Sequence, residues 1–223
     1  MAQAGIHSIL GLAIKQWTPK HTWLLLGIVL GSLLPDADNL AVAVATIAKL
    51  PAEGLHRTFT HSLFTVVAVV VVFFVTAQIV RQPRWNNLGI GLGMGILLHI
   101  LLDLLIWFNG VEILWPIPSW INLWSGVTPP PWFDKLIMTT EFLFFATFFL
   151  GLATLARRQG TDLGYLRKLR AWTWVQFGLF VIFTVLVYTM SKGFMTPYGL
   201  VYLLSLALAV GITIRMRRTI EMV

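Results

Sequence analysis

The sequence predicts an all-α, polytopic integral membrane bundle of about six to seven transmembrane helices. Three observations carry this. Of 223 residues, 57% are hydrophobic and 11% charged, where soluble domains hold roughly 45–50% and about 25%. Mean hydropathy is +0.81. The apolar residues also fall into runs near the roughly 20 residues that carry a helix across a ~30 Å hydrocarbon core. No repeat, low-complexity linker or composition shift divides the chain, so residues 1–223 read as one membrane-embedded domain.

Five runs are long enough to span: Ser62 to Val80, Leu88 to Phe108, Leu136 to Ala156, Trp172 to Met190 and Tyr198 to Ile214. Two shorter ones precede them, Ala2 to Ile14 and Thr22 to Leu34. Joined by a polar stretch from Lys15 to His21, they read as a helical hairpin. Each arm covers only about 20 Å at the α-helical rise, so the first is the least secure span.

Basic residues set the expected orientation. Arg157, Arg158, Arg167, Lys168 and Arg170 lie in one loop, and Arg215, Arg217 and Arg218 near the C-terminus. Retention of Lys and Arg on the cytoplasmic side places both there. Alternation then puts Lys15, Lys20, Arg81 and Arg84 inside as well, and the loops Asp36 to His61 and Asn109 to Asp134 outside. The same bias accounts for the net charge of +7, so no nucleic-acid partner is expected. The second outer loop carries Trp115, Trp120, Trp124 and Trp132 among prolines, a composition suited to the lipid interface. With no cysteine in the chain, disulfides, thiolate metal sites and cysteine nucleophiles are excluded. The N-terminus lacks a basic leader and a small-residue cleavage site, and reads as mature protein.

The chemistry-bearing residues cluster. His7 lies in the first arm, and Asp36 and Asp38 follow the proline that ends the second. His56, Arg57 and His61 precede the third run, and His99 and Asp103 interrupt the otherwise apolar fourth. His99 and Asp103 are i and i+4, so on one helix they share a face and can hold one ion together. Asp at a membrane helix centre costs about 2.5–3.5 kcal/mol even on the lenient insertion scale, which marks the pair as functional, against a His–Asp bond that merely pins two helices. Asp36 and Asp38 alone would pass as a solvated cap. His56 and His61 are five apart and cannot share a first turn; Thr58 or Thr60 is expected to cap the third helix, with His56 folded back from the loop. Arg57 offers a planar fork to phosphate or carboxylate, against a plain positioning charge.

Depth gives a check. By helix rise His99 and Asp103 stand about 16 and 22 Å above the inner end of their helix, and His7 about 12 Å above Lys15. All the groups then approach the outer half of the bilayer. Seven N/O ligands with three carboxylates and no thiolate suit Zn²⁺, or Mn²⁺ after it. Asp134 is expected to N-cap its helix, and Glu141 reads as a polar-packing residue that could reach the site. Glycines 89, 91, 93 and 95 fit close helix packing.

On these residues the chain resembles the YdjM-like family of LexA-regulated, inner-membrane-associated metal-dependent hydrolases. The motifs are an early His (His7), L-P-D-x-D (Leu34 to Asp38), H-R-x-x-T-H-S (His56 to Ser62), L-H-x-x-x-D (Leu98 to Asp103) and W-P (Trp115, Pro116). H-R-x-x-T-H-S is the most specific, and together they cover roughly the first 120 residues. That family is grouped with zinc-dependent phospholipase C and P1-type nucleases, all-helical enzymes whose zinc sites include an H-x-x-x-D/E pair. The resemblance implies that His7, Asp36, His56, His61, His99 and Asp103 are metal ligands. It also implies that Asp38 is a further ligand or the base that orients water. Residues 136–223 carry no matched motif and read as a helical scaffold.

The expected function is metal-dependent hydrolysis of a phosphate ester, of a lipid or lipid-linked substrate, at the extracytoplasmic face of a plasma (bacterial inner) membrane, with Asp38 and Arg57 in catalytic roles and the C-terminus cytoplasmic. The rival readings are a divalent-metal transporter or sensor using the same ligands, and a structural membrane protein with one bound ion.

Overall fold

A computed structural model describes residues 4–190 and 193–222. In chain order its helices are α1 (Ala4–Ala13), α2 (Leu24–Leu33), α3 (Asn39–Ile47), α4 (Leu63–Val80), α5 (Pro83–Ile106), α6 (Pro131–Gln159), α7 (Leu166–Thr189), α8 (Met195–Arg215) and the short α9 (Arg217–Glu221). Among the described residues, six segments are long and apolar enough to cross a membrane: 24–47, α4, α5, α6, 163–189 and α8. The all-α membrane bundle is thus the architecture, and α1, at ten residues, is not one of the six. Ala2, where its expected run begins, lies outside the described residues.

The segment 24–47 departs from expectation. Asp36 to His61 reads as an outer loop, yet residues 39–47 form α3. Pro35 opens a 3₁₀ turn over Pro35–Asp38, which breaks the helix at the two aspartates, and the apolar line resumes after them. A proline followed by two acids marks an end of helix in sequence; here it marks an interruption.

Glycine fixes the centre of the bundle. α5 carries two small-xxx-small rows on opposite faces. A Cβ on Gly91 or Gly95 would collide with Leu24 or Ile28 carbonyls of α2, and one on Gly27 or Gly31 with Leu88 or Leu92 carbonyls of α5. On the other face a Cβ on Gly89 or Gly93 would run into Phe73 or Val70 of α4. With hydrocarbon outside, such close approach of backbones is what holds membrane helices together. The C-terminal half packs differently: Phe142, Phe145, Phe148, Phe149 and Phe183 are buried together with Tyr198 and Tyr202. The Phe142–Phe183 rings stack at 5.3 Å.

One end of the bundle gathers basic residues. Lys15 Nζ donates to the Thr219 carbonyl (3.1 Å), Arg84 lies over the Trp23 ring (4.4 Å) and Arg215 pairs with Asp162 (3.6 Å). The opposite end holds the tryptophan loop, where Val111–Glu112 and Trp120–Ile121 form a small antiparallel ladder. Trp115, Trp120, Trp124 and Trp132 are all exposed there.

Candidate metal centre

Four segments converge where the tryptophan-loop ends of α4 and α5 meet α1 and the break after α2. α1 brings His7, the 3₁₀ turn brings Asp36 and Asp38, the loop before α4 brings His56, Arg57 and His61, and α5 brings His99 and Asp103. Of these eight, all but His56 are buried. His21, at the basic end, is exposed and takes no part.

The inner cluster is tight. His61 Nε2 and His99 Nε2 are 3.1 Å apart. Asp36 Oδ1 lies 3.7 Å from His99 Nε2 and 3.9 Å from His61 Nε2. Asp103 Oδ2 lies 3.6 Å from His61 Nε2 and 3.9 Å from His99 Nε2. The other Asp103 oxygen is 3.1 Å from His7 Nε2, and His7 stacks on the His99 ring at 3.6 Å. Three overlapping sets, His7/His99/Asp103, Asp36/His61/His99 and Asp38/His56/His61, each have ligand atoms within 4.8 Å of one another.

Hydrogen bonding around the rings decides what the cluster can hold. His99 Nδ1 is 2.8 Å from the Ser32 carbonyl, which only accepts, so Nδ1 carries the proton and Nε2 a lone pair. Thr60 donates its hydroxyl proton to Asp38 Oδ2 (2.9 Å), so at 2.9 Å from His61 Nδ1 its oxygen accepts and His61 has the same tautomer. Burial, and then the His99 imidazole beside it, hold His61 well below the ordinary histidine value, in the neutral form that ligates metal. Two lone pairs therefore face each other at 3.1 Å beside two carboxylates. Both Asp36 oxygens and His7 Nδ1 are buried without a hydrogen-bond partner. Such an arrangement is costly unless a cation gathers it, since buried polar groups are otherwise paired. Three carboxyl groups against one guanidinium leave a surplus of negative charge of the same sense. The donor set, imidazole and carboxylate without thiolate, fits Zn²⁺ or Mn²⁺.

Asp38 is engaged on all sides. It accepts from Asn39 Nδ2 (3.2 Å), His56 Nδ1 (2.8 Å), the Arg57 amide (3.1 Å) and Thr60. It fixes the tautomer of His56, leaving that residue's buried Nε2 without a partner. Arg57 sits at φ 62°, a left-handed conformation that a non-glycine residue adopts at a cost. The Glu112 amide on its carbonyl (3.0 Å) and Asp38 on its own amide hold it there. Its Nε pairs with Asp103 Oδ2 (3.2 Å) and its Nη1 donates to the Asn109 carbonyl (3.1 Å). The guanidinium borders a vestibule of about 590 Å³ walled by Trp107, Phe108, Val127, Pro129 and Phe133.

Several details differ from the sequence reading. Ser62, not Thr58 or Thr60, caps α4, accepting from the Phe64 amide (3.2 Å). His61 lies in the 3₁₀ turn ahead of that helix. Asp134 is inside the first turn of α6, whose cap position is Pro130. Glu141 is fully buried, and its Oε1 accepts from the Gly5 amide (2.9 Å), two residues before His7. The role of Ser32 rests on a backbone carbonyl, for which a sequence carries no signal. Thr60 sits inside H-R-x-x-T-H-S and could have been read as the partner of its neighbour His61.

Comparison with curated proteins and with solved structures finds no match. The model of one protein family, described as YdjM inner membrane protein, matches residues 2–196. The match runs past Pro116, the last motif residue, and through α6 and α7. Covering most of its length, it shows that the chain belongs to the YdjM inner membrane protein family.

Proposed function

We propose that this membrane protein is a metal-dependent hydrolase of phosphate esters. The observation that carries the reading is the pair of inward-facing lone pairs on His61 and His99, flanked by Asp36 and Asp103, with the outer ring nitrogen of each of these two histidines held by an oxygen. That is the arrangement in which a second shell fixes ligand tautomers for a metal. Bound there, Zn²⁺ or Mn²⁺ supplies Lewis acidity toward a phosphoryl oxygen and lowers the pKa of a water.

The chain's own residues do the rest. His7, Asp36, His61, His99 and Asp103 hold the ion or ions, with His56 offering Nε2 from the rim. Asp38 orients His56, His61 and the Arg57 backbone; with its oxygens so occupied, we assign it positioning rather than proton transfer. Arg57 stands between the cluster and the vestibule, where its guanidinium meets the phosphate. The basic end faces the cytoplasm by the charge bias, and the centre and vestibule face the other side. Against a transport path, the α2–α5 seam beneath the centre is lined by glycine, leucine and isoleucine with backbones in contact.

The test uses detergent-purified full-length protein loaded with Zn²⁺ or Mn²⁺ and offered phosphomonoester and phosphodiester lipids. Phosphate or headgroup release that is lost on chelation and restored by metal is expected. Metal-loaded protein that moves ions across liposomes and hydrolyses none of these esters would overturn the reading in favour of transport.

A further inference from the structure

The helices of the C-terminal half stand higher than the centre. Glu141, level with Gly5, is ten residues into α6, and Tyr202 seven residues into α8, which leaves about 15 and 10 Å of helix beyond that level. α3 rises from the aspartate turn into this overhang and packs against α8. Between them runs a groove of about 420 Å³, within the size range of ligand pockets. Its walls are apolar along most of their length: Val42, Ala43 and Ile47 on one side, Gly199 and Leu203 on the other.

The two ends of the groove differ in chemistry. At its outer margin Ile47, Met195 and Leu200 are exposed apolar residues, which in this bundle face lipid. At its inner end is Asn39, whose Nδ2 donates to Asp38 Oδ1 (3.2 Å) and to the Asp36 carbonyl (2.9 Å). Beside it Tyr202 is almost fully buried, with no partner for its hydroxyl. Gly199 lies on the groove wall, and around a Cβ there nothing lies within 4 Å, so a larger side chain at this position would enter the groove.

A slot that is apolar over its length, open to lipid at one end and polar at the end touching the carboxylate turn, matches an amphiphile and not a soluble ester. We propose that the α3–α8 groove seats one hydrocarbon chain of a phosphate-bearing membrane lipid, whose headgroup passes Asn39 and Tyr202 to reach the metal centre. This rests on the phosphoester reading for its chemistry. The groove supplies the substrate class: a lipid that approaches sideways from the bilayer, while Arg57 and the vestibule receive the water-soluble side of its headgroup.

Photoaffinity labelling tests this without depending on turnover. Full-length metal-loaded protein in micelles is equilibrated with phosphatidic acid carrying a diazirine on one acyl chain, irradiated, digested and mapped. Label on 42–46 and 199–203 is expected to exceed label on the exposed face of α4 about tenfold, the mark of a site over general lipid contact. Diacylglycerol with the same chains is expected to show no such excess. Gly199→Leu fills the slot from an open position and is expected to abolish the excess, while Gly211→Leu, on the same helix and equally open, retains it. Labelling equal to that of α4, equal labelling by diacylglycerol, or full labelling of Gly199→Leu each overturns the proposal. Concentrated labelling without hydrolysis of any ester leaves the lipid site standing and removes the hydrolase reading. Hydrolysis of soluble esters with uniform labelling does the reverse.

Discussion

The two halves of the bundle are held together by different means. α2, α4 and α5 meet backbone to backbone over glycine, with histidines and carboxylates at one end of their seam. α6, α7 and α8 meet through rings, Phe142 against Phe183 and Tyr198, and Phe145 near Tyr202. Rings fill volume and tolerate a shift of a few tenths of an ångström. Backbone contact over glycine does not, because interiors this dense have no slack. A candidate metal centre assembled from four separate segments calls for the second kind of joint, since ligand atoms must be set to within about half an ångström. The ring-packed half serves as a wall that stabilises α1 and the groove and can vary more freely.

The largest effect that separates the halves concerns metal. Elemental mass spectrometry on purified protein is expected to find near-stoichiometric zinc or manganese, falling to background in His99→Ala and in Asp103→Ala. In the ring-packed half Phe149→Leu is expected to keep its metal. Chelation is expected to lower the melting temperature of the parent protein, because binding stabilises the folded state, and to leave that of Asp103→Ala unmoved. Full metal content in either ligand variant would break the comparison at its root.

Next comes packing. Gly31→Leu drives a side chain into the Leu92 backbone and is expected to cost about 3 kcal/mol or more, at the upper end for overpacking. Gly178→Leu in α7 enters open space and is expected to stay within about 0.5 kcal/mol. Thermal unfolding of the two variants in one detergent decides it; equal losses would mean that the glycine seam has no special rigidity.

Glu141 is the one carboxylate the ring-packed half lends to the centre. Glu141→Ala orphans the Gly5 amide and is expected to cost about 1–3 kcal/mol, and to weaken metal binding about tenfold through displaced His7, the scale seen when outer-shell partners of metal ligands are removed. Glu141→Gln keeps a carbonyl acceptor and is expected to retain most of both. A metal titration in which the two variants behave alike would assign Glu141 to bulk packing.

Much of this was legible in the sequence, and the rest was hidden for physical reasons. Hydropathy alone gives the spans, since the bilayer fixes their length and composition. The His and Asp of the centre stand out because an ionisable group in an apolar run is too costly to be incidental. α3 was not legible: Pro35 and two aspartates spell a terminus, and only tertiary packing against α8 makes the following apolar stretch a continuation. A D-x-D gives no sign of which aspartate meets which neighbour; the contacts of Asp38 come from Thr60, His56 and the Arg57 amide, which arrive from another segment. Ser32, acting through its carbonyl, could not be read from side-chain chemistry at all.

The smallest expected effect lies at the basic end and checks that the halves are joined there as well. Glu221 of α9 accepts from the amides of Trp23 (2.6 Å) and Leu26 (3.4 Å), capping α2 from the far end of the sequence. Removing a side-chain cap costs about 1 kcal/mol, and Glu221→Ala is expected to lose that much. Burial pushes the Glu221 carboxyl up, and the two amides pull it down by less. A raised folded-state value means the folded protein holds this proton more tightly than the unfolded chain. Its contribution is therefore full in acid and declines as pH rises through the folded value. Glu221→Gln keeps an acceptor for the amides but cannot titrate. Melting temperatures of parent and Glu221→Gln are expected to lie closest at acidic pH, where both side chains are neutral, and to separate in the variant's favour as pH rises through the folded value. A constant offset across that range would mean the cap is set by hydrogen bonding alone, with no cost of burying charge where α9 closes the bundle.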